Sequence, residues 1–397
     1  MELVSNRVKA LAESATIAMN QKSNELKAKG VKVINLTVGE PDFFTPDHIK
    51  QAAKKAVDDN FSFYSPVPGY PELLNAIAAK LKRENNLEYA PAQISVANGA
   101  KHNIANIILA IVNAGDEVIV PAPYWVSYPE QVKLAEGVNV VIETSVENNY
   151  KVTPAQLEKA ISPKTKALIL CSPSNPTGAF YSKAELEAMA VVLRKHPHVF
   201  IISDEIYEHI NYMGDHHSIA SCEGMYERTA VVNGVSKGYA MTGYRIGYMA
   251  APLWLTKACN KLQGQMTTGA SSIAQRAAIE ALNGDQSDVK KFQQAFERRA
   301  KLFYEGMAAL PGVKCNKPEG AFYVFPDMSS YFGKSYGSST IKNSDDLCLY
   351  LLDKAHVVGV AGSGFGHDKC IRFSFATSDE NLKEALVLVK DALAALK

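Results

Sequence analysis

Lys237 follows Ser236 just past the apolar run 229–232, and Gly243-Tyr244-Arg245-Ile246-Gly247 comes shortly after it. A lysine amine in a partly dry, cationic setting loses proton affinity and becomes a nucleophile able to form a Schiff base with an aldehyde. Arg245 and the Ser236 hydroxyl can hold a phosphate beside it, the arginine through charge-assisted bonds. Taken alone, the same residues also suit a surface lysine and a solvated arginine.

Other reactive side chains stand where the sequence pattern changes. The run 96–101 reads as a strand, a turn at Gly99 and the start of a helix through Ala100 and Lys101. The first amides of a helix lack intrahelical partners and the macrodipole favours an anion there; a plain strand-to-helix turn fits the same residues. Asp204 and Tyr207 lie past the apolar run 199–202 and share a side if a helical turn starts there; Asp204 also suits a helix N-cap. Trp125 projects from a loop constrained by Pro121 and Pro123, although a lone tryptophan is more often a core residue. Tyr64 sits in the aromatic loop 61–69, either reaching a partner or filling a monomer's core. Arg372 stands in the apolar run 370–375, where a guanidinium is costly unless paired and where its planar fork matches a carboxylate. An edge strand with a solvent-facing arginine is the alternative. The histidines, His216-His217 included, show no ligand spacing, and no metal is expected.

In chain order, the motifs are Gly39-Glu40-Pro41-Asp42, Tyr64 with Gly69, Asn98-Gly99-Ala100-Lys101 and Pro123-Tyr124-Trp125. They continue through Asn175-Pro176-Thr177-Gly178, Asp204-Glu205-Ile206-Tyr207, Ser236-Lys237 with Arg245-Ile246-Gly247, and Arg372. Over nearly the whole chain this set resembles the class I pyridoxal-phosphate aminotransferases of fold type I. The resemblance implies that Lys237 carries pyridoxal 5'-phosphate. Gly99, Ala100 and Lys101 would offer backbone amides to its phosphate, with Ser236 and Arg245. Trp125 would stack on the ring, and Asp204 would keep the ring nitrogen protonated so that the ring acts as an electron sink. Asn175 and Tyr207 would face the phenolic oxygen, lowering the proton affinity of the nitrogen attached to the cofactor. Arg372 would take the substrate α-carboxylate, with Gly39, Trp125 and Asn175 beside it. Tyr64 would cross to a neighbour's phosphate, which implies a homodimer with shared active sites.

Within that family, Ser14-Ala15-Thr16 and Gln265-Met266-Thr267-Thr268 are similar to bacterial aspartate aminotransferases with a mobile N-terminal segment. The resemblance implies ping-pong transfer between aspartate and 2-oxoglutarate, with the Lys237 amine moving the Cα proton and two substrate carboxylates closing the small lobe. Two departures stand out. Gly234 occupies a place where serine is frequent, and Ala12-Glu13 stands where some members carry a basic residue, weakening the preference for acidic substrates. On the same chemistry, the alternatives are a broad-specificity aromatic or alanine aminotransferase and a carbon–sulfur lyase. From another class, a regulator's ligand-sensing domain is disfavoured by the neutral charge and by the lack of a spare DNA-binding segment. A nicotinamide dehydrogenase would need a GxGxxG opening a βαβ unit.

These residues need strand ends to hold them. Apolar runs at 117–120, 139–143, 167–171, 199–203, 229–232 and 245–250 alternate with helical patterns at 101–112, 154–160, 183–195 and 271–282. That alternation predicts an α/β fold, a mostly parallel sheet sandwiched by helices. Trp125, Asn175, Asp204 and Lys237 fall just past strand ends, where open α/β sheets bind ligands. Beyond 292 the texture shifts to a helical stretch 292–310, β-like runs at 320–326, 357–361 and 370–376, and a helix 380–396. The expected division is a large cofactor-binding domain, 48–292, and a small α+β domain made of 1–47 and 293–397.

Composition bounds the remaining choices. At 397 residues, 47% apolar and 21% charged, the chain suits two packed lobes. A net charge of +1 gives no general attraction to nucleic acid or anionic membranes. Six scattered cysteines without a CxxC pair fit a reducing compartment. With no secretory signal or membrane span, cytoplasm is expected.

Overall fold

The computed structural model describes residues 3–12 and 15–397, with the side chains of 15–18 excepted. Glu13 and Ser14, and the side chains of Ala15 and Thr16, therefore lie outside the described residues.

Strands β1 (Ile94–Asn98), β2 (Glu117–Ala122), β3 (Val138–Glu143), β4 (Thr165–Cys171), β5 (Phe200–Asp204), β6 (Thr229–Gly234) and β7 (Ile246–Ala250) form a seven-stranded sheet. Their order is β1-β7-β6-β5-β4-β2-β3. Every neighbouring pair is parallel except those made by β7, which runs antiparallel to β1 and β6. The chain therefore returns directly from β6 to β7 through residues 235–245 without a crossover helix.

The near-continuous apolar runs of β4 and β5 mark strands covered on both faces. Alternation along β4 divides them: Ile169 packs with Ile104, Ile107 and Ile108 of helix Ala100–Ile111, while Leu168 and Leu170 meet Leu186, Met189 and Leu193 of helix Lys183–Arg194. That second helix begins with a capping box. Ser182 Oγ accepts from Glu185 N at 3.3 Å and the Glu185 carboxylate accepts from Ser182 N at 2.8 Å.

A second core lies around a three-stranded antiparallel sheet of β8 (Tyr323–Val324), β9 (Val360–Ala361) and β10 (Ile371–Ser374), in the order β9-β10-β8. Phe296 and Phe303 of helix Ser287–Ala308, Leu347 and Leu351 of helix Ser344–Ala355, and Leu382 and Val389 of helix Asp379–Ala394 pack there with Phe373. Ile34–Asn35 pairs in parallel with Val357–Val358, which ties the segment leading to Gly39 into this core. Ile206, Tyr207 and Ile210, from the chain just after β5, belong to the same cluster.

Several local expectations change. The long helix begins at Ser287 rather than 292, and the β-like runs of the second core contract to strands of two to four residues. Arg245 does not belong to β7: its φ of 57° places it in the left-handed region before the strand starts. No helical turn follows Asp204. The segment is a chain of tight turns closed by Glu208 N to Glu205 O at 3.0 Å and Ile210 N to Tyr207 O at 2.8 Å. Finally, β10 is the central strand of its sheet and Arg372 is 2% exposed, so the solvent-facing arginine of an edge strand is excluded.

Candidate active site

The carboxyl ends of β4, β5 and β6, helix Ala100–Ile111 and the Thr37–Glu40 segment surround a cavity of about 460 Å³. Gly39, Ala100, Lys101, Trp125, Asn175, Asp204, Tyr207, Ser236, Lys237, Arg245 and Arg372 all line it. Tyr64 does not line it; its side chain is 93% exposed.

Lys237 extends from the 235–245 connection, and its Nζ donates to the Gly39 carbonyl at 2.5 Å. Burial, helped by the charges of Arg372 and Arg245, pushes its pKa down to about 8 against the opposing pull of Glu40 and Asp204. The amine is thus far closer to its free-base, nucleophilic form at neutral pH than a solvated lysine.

Asp204 ends β5 and is 3% exposed. Burial raises its carboxyl to about 6, opposed by hydrogen bonds from the Tyr128 hydroxyl to Oδ2 at 2.6 Å and from Ile206 N to Oδ1 at 3.3 Å. The bond to the amide two residues on also explains why Asp204 resembled a cap in sequence. Tyr207, 3% exposed, shares a hydroxyl–hydroxyl bond of 2.9 Å with Tyr323.

Among the described residues, Arg372 has no carboxylate partner. Its Nη1 donates to Asn175 Oδ1 at 3.0 Å and its Nη2 to the Thr37 carbonyl at 2.7 Å, while Nε is buried without a partner. Its guanidinium lies 4.5 Å from the centre of the Tyr323 ring and 5.0 Å from that of Phe365. A buried cation held by neutral groups retains its full charge for an anion entering the cavity.

The phosphate-type corner depends on close backbone packing. Gly99, at φ 85°, precedes helix Ala100–Ile111, with no side chain capping the helix start. Arg245 reaches over it, donating to Thr242 O at 2.9 Å and Asn98 O at 3.2 Å, and a Cβ on Gly99 would strike its guanidinium. A Cβ on Gly247 would strike the Ala100 amide, so β7 approaches the helix start only because that residue is glycine. Gly234 is equally tight: its Cβ would lie 2.8 Å from Ile246 O and 2.9 Å from Gly247 Cα. A serine there would have no room; the Arg245 guanidinium stands against Gly99, and Ser236 lines the same cavity.

Sequence reasoning missed several groups. Tyr128 and Tyr323 are buried tyrosines whose roles depend on tertiary neighbours. Glu40 lines the cavity and accepts from Thr242 Oγ1 at 2.8 Å. Lys101 was considered for its backbone amide alone, yet its ammonium stands 4.9 Å from the centre of the Trp125 ring at the cavity wall. Outside the cavity, Glu84, Glu208 and His209, and Glu205, Glu208 and His216, form two acidic clusters. The fully buried Lys80 ammonium contacts Glu208, so the acids already have a cation.

The donors present fit a flat aromatic aldehyde bearing a phosphate. The cavity offers an amine for the carbonyl, an aromatic wall, a buried acid for a ring nitrogen and a helix start with an arginine for the anion. The comparisons agree with that chemistry. Residues 31–388 match the family model described as aminotransferase class I and II. A probable aspartate/prephenate aminotransferase of Rhizobium leguminosarum bv. phaseoli is 48% identical over 389 residues, covering 97% of this chain and 97% of the relative. The solved aspartate aminotransferase from Rhizobium meliloti superposes with a TM-score of 0.96 at 43% identity, covering 100% of both chains. That of Thermus thermophilus with maleate gives 0.92 at 42% identity, covering 99% of this chain and 100% of the other.

Proposed function

Because the chain belongs to the class I and II aminotransferases and is a pyridoxal-phosphate-dependent enzyme of that family, we propose that it moves the amino group of L-aspartate to 2-oxoglutarate by a ping-pong mechanism. The observation that carries the choice of substrate is a pair of cations at one cavity. Arg372 is buried without an acid among the described residues, and Lys101 lines the same space. One suits an α-carboxylate and the other a distal one, which supplies the second cation that Ala12 does not. The maleate in the Thermus structure, itself a dicarboxylate, supports this reading.

When bound, pyridoxal 5'-phosphate supplies an electrophilic carbonyl and an electron-withdrawing ring. Lys237 would hold it covalently and then act as the base and acid at the substrate Cα. Asp204 would pair with the ring nitrogen, Tyr207 and Asn175 would donate to the phenolic oxygen, and Trp125 would cover the ring. The Gly99–Lys101 amides, Ser236 and Arg245 would receive the phosphate. Arg372, with Asn175, Trp125 and the Gly39 backbone beside it, would orient the substrate.

Tyr64 belongs to this scheme only through a second copy of the chain. The exposure of adjacent Phe63 and Tyr64, 82% and 93%, supports a homodimer in which that loop is covered. We assign 48–292 to the cofactor domain and 1–47 with 293–397 to the small domain, the division falling within helix Ser287–Ala308. Six free thiols are consistent with a cytoplasmic protein; among the described residues no helix is long and apolar enough to cross a membrane.

The test is rapid mixing of holoenzyme with single amino acids. Aspartate is expected to bleach the carbonyl form of the cofactor much faster than alanine or tyrosine; faster bleaching by tyrosine would overturn the assignment. Light scattering that gave a monomer at assay concentrations would remove Tyr64 from the site.

A further inference from the structure

Tyr128 lies in the first turn of helix Ser127–Leu134, immediately after the loop that carries Trp125. Its ring meets Trp125 edge-on, with centroids 5.3 Å apart and planes at 82°, and the residue is 2% exposed. Packing alone would be served as well by phenylalanine. The hydroxyl instead reaches Oδ2 of Asp204 at 2.6 Å, and among the described residues it is the side chain that donates to that carboxylate. The other oxygen of Asp204 is occupied by Ile206 N.

We propose that Tyr128 is a positioning residue for amino transfer: its hydroxyl holds Asp204 in the orientation and ionised state that the cofactor's ring nitrogen requires. The inference rests on assigning Asp204 to that nitrogen. The groups facing Asp204 leave it short of help. Cys171 from β4 is a half-buried neutral thiol, Glu205 adds a like charge, and Lys237 is engaged by Gly39. Burial already raises Asp204 to about 6, and Tyr128 is the largest opposing influence. The phenol is itself kept protonated by burial and by the adjacent carboxylate, so it remains a donor across the working range. Without it, Asp204 would retain a proton closer to neutrality and would be a weaker counter-charge.

Tyr128→Phe removes the donor and keeps the ring. The expected result is a roughly tenfold weaker dissociation constant for pyridoxal phosphate with apoenzyme, and an upward shift in the pH midpoint of the bound cofactor's absorption. kcat should fall more than KM rises. Incorporating 3-fluorotyrosine at 128, which preserves shape and strengthens the donor, should move the midpoint the other way and covers the case in which the phenylalanine variant misfolds. Adding Tyr128→Phe to Asp204→Asn should change cofactor affinity little, because the two act as one unit. Additive losses, or an unmoved midpoint alongside a lowered apoprotein melting temperature, would make Tyr128 a packing residue and overturn the proposal. If Asp204→Asn alone leaves cofactor affinity unchanged, the assignment of Asp204 fails instead.

Discussion

Replacing Arg372 by lysine keeps the positive charge and removes the fork. In the free enzyme the guanidinium spans two acceptors in different parts of the chain, Thr37 O at 2.7 Å and Asn175 Oδ1 at 3.0 Å, with Nε unmatched. A lysine ammonium is one point of charge and cannot hold those partners while giving two parallel bonds to a carboxylate. One charge-assisted bond of about 1.5–3 kcal/mol is then lost, which corresponds to a fall in kcat/KM of roughly 10- to 150-fold. Because the α-carboxylate is bound before and during proton transfer, the loss should appear mainly in KM. Steady-state kinetics with aspartate measures it. Single-turnover reaction with a simple alkylamine, which has no carboxylate, is the internal control and should change little. A loss under threefold with aspartate, or an equal loss with the amine, would refute the reasoning that this buried, acid-free cation awaits the substrate carboxylate.

Other perturbations read different parts of the structure. Lys101→Met should raise KM for aspartate by about five- to tenfold, the effect of one partly screened charge pair, and leave alanine unaffected; equal shifts would remove Lys101 from the distal-carboxylate role. Borohydride trapping of pyridoxal phosphate on apoenzyme should find Lys237 modified with a pH midpoint near the amine's value of about 8, whereas a midpoint near 10 would mean the burial does not act on the amine. Asp204 binds its proton up to about pH 6 when folded, above the ordinary 3.8, so the folded state is increasingly disfavoured as pH rises across that window. Asp204→Asn should therefore stabilise the apoprotein by about 1–3 kcal/mol above pH 6 and have no such effect below pH 4, as read by melting temperature. Lys80→Met should destabilise by about 3–5 kcal/mol because it strands the buried Glu208 charge; the double variant with Glu208→Leu should recover most of that loss in chemical denaturation.

What the sequence revealed follows the range over which each signal acts. β4 and β5 are legible because a strand buried on both faces must be apolar along its length, and helix Lys183–Arg194 because its apolar residues recur with the helical period. Lys237 and Asp204 stood out as polar groups at apolar strand ends and Arg372 as a cation inside an apolar run, and the cavity brings them together. The short strands of the second core were overextended because Val357 to Ala361 is apolar throughout while pairing breaks at Gly359. Whether a helical turn follows Asp204 is left open by the sequence because spacing does not distinguish a helical turn from successive tight turns. Tyr128, Tyr323 and the Lys101 side chain were missed for a common reason: each owes its place at the cavity to residues distant in the chain, and no local pattern marks them.

The reversed course of β7 makes residues 235–245 a closed arch. Its feet are joined where Gly234 pairs with Gly247 and Val235 N bonds Ile246 O at 3.3 Å, and Met241 N bonds back to Ser236 O at 3.2 Å. Lys237 stands by one foot and Arg245 by the other, so the span from amine to guanidinium is fixed by the length of a single short segment. Connections that cross between parallel strands can lengthen outward into solvent; here an inserted residue would have to bulge between Lys237 and Arg245 or break the contact between Gly234 and Gly247. The arch therefore works as a caliper, and its residue count is as much a part of the chemistry as its side chains.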